Sequence, residues 1–146
     1  KNRRIQKWAR LDKIFKYVEN NYHKPITLEQ AAQQLNLSTH YFSRFFKNST
    51  GITFSQYLSS FRIKQAEWYL LNTSYNITEI ALKCGFGSIK TFNRVFKFHN
   101  GWPPSTYRAN NIWERYDKYW PALYNFSLYN SIYKVNIIYA KENLNE

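Results

Sequence analysis

Apolar residues in this chain recur first at helical spacing. Trp8, Leu11, Phe15, Val18 and Tyr22 predict an amphipathic helix over about 6–21, closed off by Pro25. Its aromatic stripe reads as core packing with no cofactor role. Leu28, Ala31, Ala32 and Leu35 then fall at i, i+3, i+4 and i+7, with Thr27 as a good N-cap. Asn36-Leu37 makes a tight turn. Ser38 caps a helix over about 40–48, with Phe42, Phe45 and Phe46 turned inward and Gly51 ending it.

Thr53 caps a longer helix over 54–71. Phe54, Tyr57, Leu58 and Phe61 line one side of it, and Ile63, Ala66 and Leu70 another. A helix that is apolar on two sides packs a different unit on each. Thr78 then caps 79–84, and Gly85-Phe86-Gly87 forms a turn. Ser88 caps 89–98 with Phe92, Val95 and Phe96 inside, and Gly101 with Pro103-Pro104 stops it.

The second pair of helices echoes the first. Shifting the chain by 50 aligns 26–57 with 76–107 and gives ten identities in 32 positions, where about two would arise by chance. They include Ser38/Ser88, Phe42/Phe92, Arg44/Arg94, Phe46/Phe96, Lys47/Lys97, Gly51/Gly101 and Tyr57/Tyr107. Two copies are too few for a solenoid, so the pattern is a duplication. Helix, short turn, capped helix is the helix-turn-helix plan, whose second helix enters the DNA major groove. The predicted fold is therefore all-α. Residues 1–52 and 72–108 form two helix-turn-helix subdomains, joined by the linking helix over 53–71.

Charge sharpens this picture. The net charge of +12 lies entirely within residues 1–108, which hold 17 Lys and Arg against 5 Asp and Glu, while 109–146 hold four of each. A solubility charge has no reason to stop at a boundary, whereas a polyanion-binding module has. Charge alone favours nucleic acid or an acidic membrane surface, and the helix-turn-helix plan selects double-stranded DNA.

Other chemistry is thin. No apolar run reaches the roughly 18 residues of a membrane span, so no membrane partner is expected. One cysteine, Cys84, and three scattered histidines, His23, His40 and His99, fall short of the about four ligands of a structural zinc site. No metal, cofactor or enzymatic activity is expected, and no nucleophile triad or carboxylate pair stands out. Cys84 follows Ala81 on its helix and reads as a small buried hydrophobe.

The outward faces of the two second helices supply the candidate DNA-reading residues. In the first copy these are Thr39, His40, Ser43, Arg44 and Lys47. In the second they are Ile89, Lys90, Thr91, Asn93, Arg94 and Lys97. Arg44 and Arg94 carry forked donors suited to guanine, Asn93 can pair bidentately with adenine, and Thr39, Thr91 and Ile89 offer methyls to thymine. Lys47, Lys97 and the capped helix N-termini suit phosphate. The copies differ at His40/Lys90 and Ser43/Asn93, so one monomer reads two unlike half-sites.

The same residues carry a family resemblance. The runs Pro25-Ile26-Thr27-Leu28-Glu29-Gln30-Ala31-Ala32 and Tyr41-Phe42-Ser43-Arg44, the middle Arg62-Ile63, Ala66 and Leu70-Leu71, and the later Ile77, Glu79-Ile80-Ala81, Gly85-Phe86, Pro104 and Tyr107-Arg108 keep family order and spacing over about 8–108. The chain resembles the AraC/XylS transcription regulators. The resemblance implies a seven-helix double helix-turn-helix domain, a cytoplasmic transcriptional activator module, and reading positions on the residues named above. RNA polymerase is a further partner it brings into view. The family usually joins this domain to an effector-sensing or dimerising one, and none is recognisable here.

The chain starts Lys1-Asn2-Arg3-Arg4 and has no Met, which reads as a piece of a longer protein. Residues 109–146 are a C-terminal extension. They read as a helix over 110–120, with Trp113, Tyr116 and Trp120 on one face, then an aromatic hairpin about Asn130-Ser131. Three roles are open to it: packing on residues 1–108, a homodimer contact, or the start of a further domain. Two other readings stand beside site-specific regulation: a non-specific architectural DNA binder, and a protein-interaction module working through the aromatic tail.

Overall fold

In a computed structural model of the chain, which describes residues 2–111, seven helices follow one another: α1 (Asn2–Asn21), α2 (Leu28–Gln33), α3 (Thr39–Thr50), α4 (Phe54–Asn72), α5 (Ile77–Lys83), α6 (Ile89–Asn100) and α7 (Pro104–Asn111). The expected hairpin, and all but the first two residues of the helix expected over 110–120, lie outside the described residues. Caps set most of the boundaries. Thr27, Ser38, Thr53, Asn76 and Ser88 each accept a first-turn backbone N–H, and Gly51 and Gly101 end α3 and α6 in the left-handed conformation.

Two cores form along α4. The first gathers Leu11, Ile14, Phe15 and Val18 of α1, Ala31 and Ala32 of α2, Phe42 and Phe46 of α3, and Phe54, Tyr57, Leu58 and Phe61 of α4. The second gathers Ile63, Ala66 and Leu70 of the same helix with Ile80, Ala81, Cys84, Phe86, Phe92, Phe96 and Tyr107. The two apolar sides expected of this helix are therefore divided between the cores as its sequence implied, with Arg62 between them. Equivalent rings pack alike: Phe46 meets Tyr57 at 5.5 Å, and Phe96 meets Tyr107 at 5.2 Å.

Four expectations change. The cap of α5 is Asn76, in a reciprocal box with Glu79, and Thr78 lies inside the first turn. The reason is a change of register within the repeat. Thr27/Asn76, Gln30/Glu79, Ala32/Ala81 and the left-handed Asn36/Gly85 correspond at a shift of 49, whereas Ser38/Ser88 onward correspond at 50. The second turn holds one extra residue, Gly87, so the Glu29/Glu79 and Ala31/Ala81 matches are not structural equivalents. Second, Phe45 and Val95 are only half-buried, on the flanks of α3 and α6. Third, α1 begins at Asn2, a turn earlier than its apolar stripe. Fourth, Pro104 ends nothing beyond the loop after α6: it opens α7, where its missing N–H and fixed φ suit a first helical turn.

Two arginines hold helix ends that the local sequence leaves open. Arg62 of α4 donates through Nε to the Tyr22 carbonyl at 2.8 Å and through Nη2 to that of Lys24 at 2.8 Å, just past α1. Arg108 of α7 donates to Leu70 at 3.0 Å and Thr73 at 3.2 Å, at the end of α4. Each cation sits where the orphan carbonyls and the helix dipole favour it.

Candidate nucleic-acid interface

Each second helix is anchored by two fully buried phenylalanines four residues apart, Phe42 and Phe46 in α3 and Phe92 and Phe96 in α6. Fixing that side fixes the other. His40, Arg44 and Lys47 stand exposed on α3, and Thr39 and Ser43 are half-buried beside them. On α6, Ile89, Lys90, Asn93, Arg94 and Lys97 are exposed and Thr91 is half-buried. The Thr91 hydroxyl accepts from Ser88 Oγ at 2.9 Å, so its methyl group is its more available end. Neither helix contains an acidic residue, so the Lys and Arg charges of both outward faces are unopposed within the helix.

A shallow cleft runs beside each of these helices. One is lined by Leu28, Ser43, Arg44, Lys47 and Thr53, the other by Ile77, Asn93, Arg94, Lys97 and Pro103. The pairs Ser43/Asn93, Arg44/Arg94, Lys47/Lys97 and Thr53/Pro103 are repeat equivalents, so the duplication has copied the cleft along with the helix. A third cleft lies between them, walled by Ser55, Gln56, Ser59 and Ser60 of α4 and by Arg94 and His99 of α6. It shares Ser55 with the first cleft and Arg94 with the second. The clefts beside the outward faces of α3 and α6 are therefore joined in series through the polar first turns of α4.

Sequence periodicity left several members of this surface unnamed. Tyr41 is 53% exposed on α3, and Asn48 lines the α3 cleft one turn beyond Arg44. The i+4 spacing from Arg44 was the available signal for Asn48. Phe98 is 85% exposed at the edge of the middle cleft, and its place two residues after Phe96 and six after Phe92, off the buried stripe, was the available signal. Beside it, partial desolvation of the otherwise exposed His99 and then the nearby Lys64 ammonium pull its imidazole below its ordinary range, while Glu67 opposes them. Among the described residues, no helix is long and apolar enough to cross a membrane, and no group of three His, Cys, Asp or Glu is placed to hold a metal ion.

Comparison with known proteins agrees with this architecture. A family profile described as a helix-turn-helix domain matches residues 31–110. The chain is 36% identical over 101 residues to the transposon Tn10 TetD protein of Escherichia coli, covering 69% of this chain and 73% of that one. It is 31% identical over 100 residues to the HTH-type transcriptional activator RhaS of Salmonella newport, covering 68% of this chain and 36% of RhaS, so it spans about a third of that relative. Among solved structures, the DNA-binding domain of the global transcriptional factor AdpA, in complex with a target DNA, superposes with a TM-score of 0.69 at 28% identity, over 73% of this chain and 96% of that one.

Proposed function

This chain belongs to the AraC-type helix-turn-helix transcription regulators, and from that membership we propose that it binds double-stranded DNA sequence-specifically, with α3 and α6 in two successive major grooves of one asymmetric site. The observation that carries this reading is the serial joining, through α4, of the clefts beside the two outward faces. The 19 residues of α4 span about 28 Å at 1.5 Å per residue. One turn of duplex is about 34 Å, so helices held at either end of such a spacer suit adjacent turns of one face.

The chemistry of each half-site follows from the exposed side chains. Arg44 and Arg94 read guanine, and Asn93 reads adenine. Thr39, Ile89 and Thr91 present apolar groups to thymine methyls. Lys47 and Lys97 hold phosphate. His40 against Lys90, and Ser43 against Asn93, make the half-sites unlike, so a single chain needs no palindrome. Activation is the regulatory sign we assign, with RNA polymerase as the protein contacted from the bound site and the cytoplasm as the place of action. The similarity to RhaS, a transcriptional activator by name, supports that sign.

Selection of bound duplexes from random DNA, followed by footprinting, tests the reading. Two different short motifs about one helical turn apart are expected. Enrichment of a palindrome overturns the asymmetric site. Equal affinity for selected and scrambled duplexes across salt concentrations points instead to a non-specific architectural binder.

A further inference from the structure

Eight of the 17 Lys and Arg in residues 1–108 fall within the first 24 positions, and the helix-turn-helix plan uses none of them. Five more stand on α3 and α6. The remaining four all have internal partners: Arg62 and Arg108 hold helix-end carbonyls, Lys64 lies 3.3 Å from Glu67, and Lys83 sits over the Tyr75 ring.

Of the six cations of α1, Arg3, Lys7 and Arg10 share one face at i, i+4 and i+7, while Lys16 pairs with Asp12 at 2.8 Å. From Leu11 onward one side of α1 is core, through Ile14, Phe15 and Val18. Four and seven positions before Leu11 on that side stand Lys7 and Arg4, and four before Lys7 stands Arg3. Trp8 still packs on the core beside Lys7, and before it this side of α1 is cationic. Arg3 is exposed and Lys7 half-buried. The Arg10 guanidinium lies 5.9 Å from the centre of the Phe45 ring on α3, which sets this end of α1 alongside the first reading helix. Lys7 lies 5.7 Å from the ring centre of its neighbour Trp8, a longer approach than the 4.7 Å of Lys83 to Tyr75, and among the described residues no ion pair involves Arg3, Lys7 or Arg10.

Helix physics opposes this arrangement. The first turn of α1 contains no acid, although the helix dipole favours negative charge there. Arg3 and Lys7 are like charges at i, i+4, which repel. The cost is offset once a polyanion lies against the surface. We propose that Arg3, Lys7 and Arg10 form a phosphate-binding track that grips the DNA backbone flanking the half-site under α3, beyond the two grooves. This rests on the reading of α3 as a groove helix.

Anisotropy titrations of the 146-residue chain on a selected duplex with long flanks, at several salt concentrations, test the track. The exposed Arg3 and the half-buried Lys7 are changed first, together, as Arg3→Gln with Lys7→Gln. Arg10→Gln is made separately, because Arg10 also packs on Phe45. Neutralising two phosphate-binding cations makes the salt dependence shallower by about 1.8 in the logarithmic slope, so between about 50 and 200 mM salt the wild type loses about tenfold more affinity than the double variant. Trimming the flank at one end of the duplex abolishes the difference, and trimming the other leaves it. Identical slopes for wild type and double variant overturn the track and point to an acidic protein surface as its occupant. A wild type that enriches no duplex at all refutes the DNA reading itself, and the track with it.

Discussion

Gly85, in the turn between α5 and α6, lies directly against the backbone carbonyl of Tyr22 at the end of α1. A Cβ at position 85 would collide with that oxygen, would stand 3.0 Å from Arg62 Nε, and would belong to a residue held at φ +84°. The turn of the second helix-turn-helix unit is thus seated on the end of the first unit's leading helix, with the Arg62 guanidinium hydrogen-bonded to the same carbonyl at 2.8 Å. The relative placement of α3 and α6 depends on this junction.

Gly85→Ala should therefore cost about 3 kcal/mol or more, adding backbone strain to a collision with main chain that cannot move aside. Gly51→Ala is the control. Gly51 has a similar φ of +85° but nothing within 4 Å of its would-be Cβ, so only the left-handed strain of about 1–2 kcal/mol applies. Urea unfolding of both variants checks the difference. Equal losses would mean that the close approach at Gly85 carries no energetic weight.

Arg62→Met should destabilise by about 1.5–3 kcal/mol, because it keeps the aliphatic stem but leaves the Tyr22 and Lys24 carbonyls without their charged donor. Arg108→Met should do the same through Leu70 and Thr73. If either arginine served mainly to bind phosphate, its substitution would leave the unfolding midpoint unchanged and weaken DNA binding alone.

Arg44→Ala should relax base preference in one half-site at a cost of about 1–3 kcal/mol on the selected duplex. Lys47→Ala should weaken selected and random duplexes alike and make the salt dependence shallower by about one phosphate's worth of released counterion. Competition titrations separate the two outcomes. Equal losses for Arg44→Ala on both duplexes would remove it from base reading.

Burial pushes the Cys84 thiol from an ordinary 9.0 up to about 12, against the opposing pull of Arg62 and Lys83. The thiol should stay protonated at neutral pH and react with a disulfide reagent only when the chain unfolds. The folded value is the raised one, so this contribution to stability is complete below pH 9 and is lost as the pH climbs toward 12. Burial raises the Tyr22 phenol as well, in the same sense. Rapid labelling of the native protein at neutral pH would contradict the assignment.

Much of this molecule was legible in local patterns. Caps such as Ser38 and Ser88 and the left-handed ends at Gly51 and Gly101 depend on one or two neighbouring residues, so reading them needs no fold. The phenylalanine pairs set at i, i+4 decide which face of α3 and α6 is turned out, and Arg44 and Arg94 follow from that. The duplication was equally visible. Its change of register was not, because one inserted residue, Gly87, alters no composition and leaves plausible matches on both sides.

The amino-acid sequence by itself determined the helices, the two-sided α4 and the outward residues of each copy, since these follow from the periodicity of a regular backbone. Only the tertiary structure decided that the clefts beside the two outward faces adjoin through α4, that Gly85 seats against Tyr22, and which arginines are consumed internally. Those outcomes join residues far apart in the chain, and no spacing rule reaches so far. An arginine has the same letter whether its fork meets a carbonyl, as Arg62 and Arg108 do, or points to solvent, as Arg44 and Arg94 do.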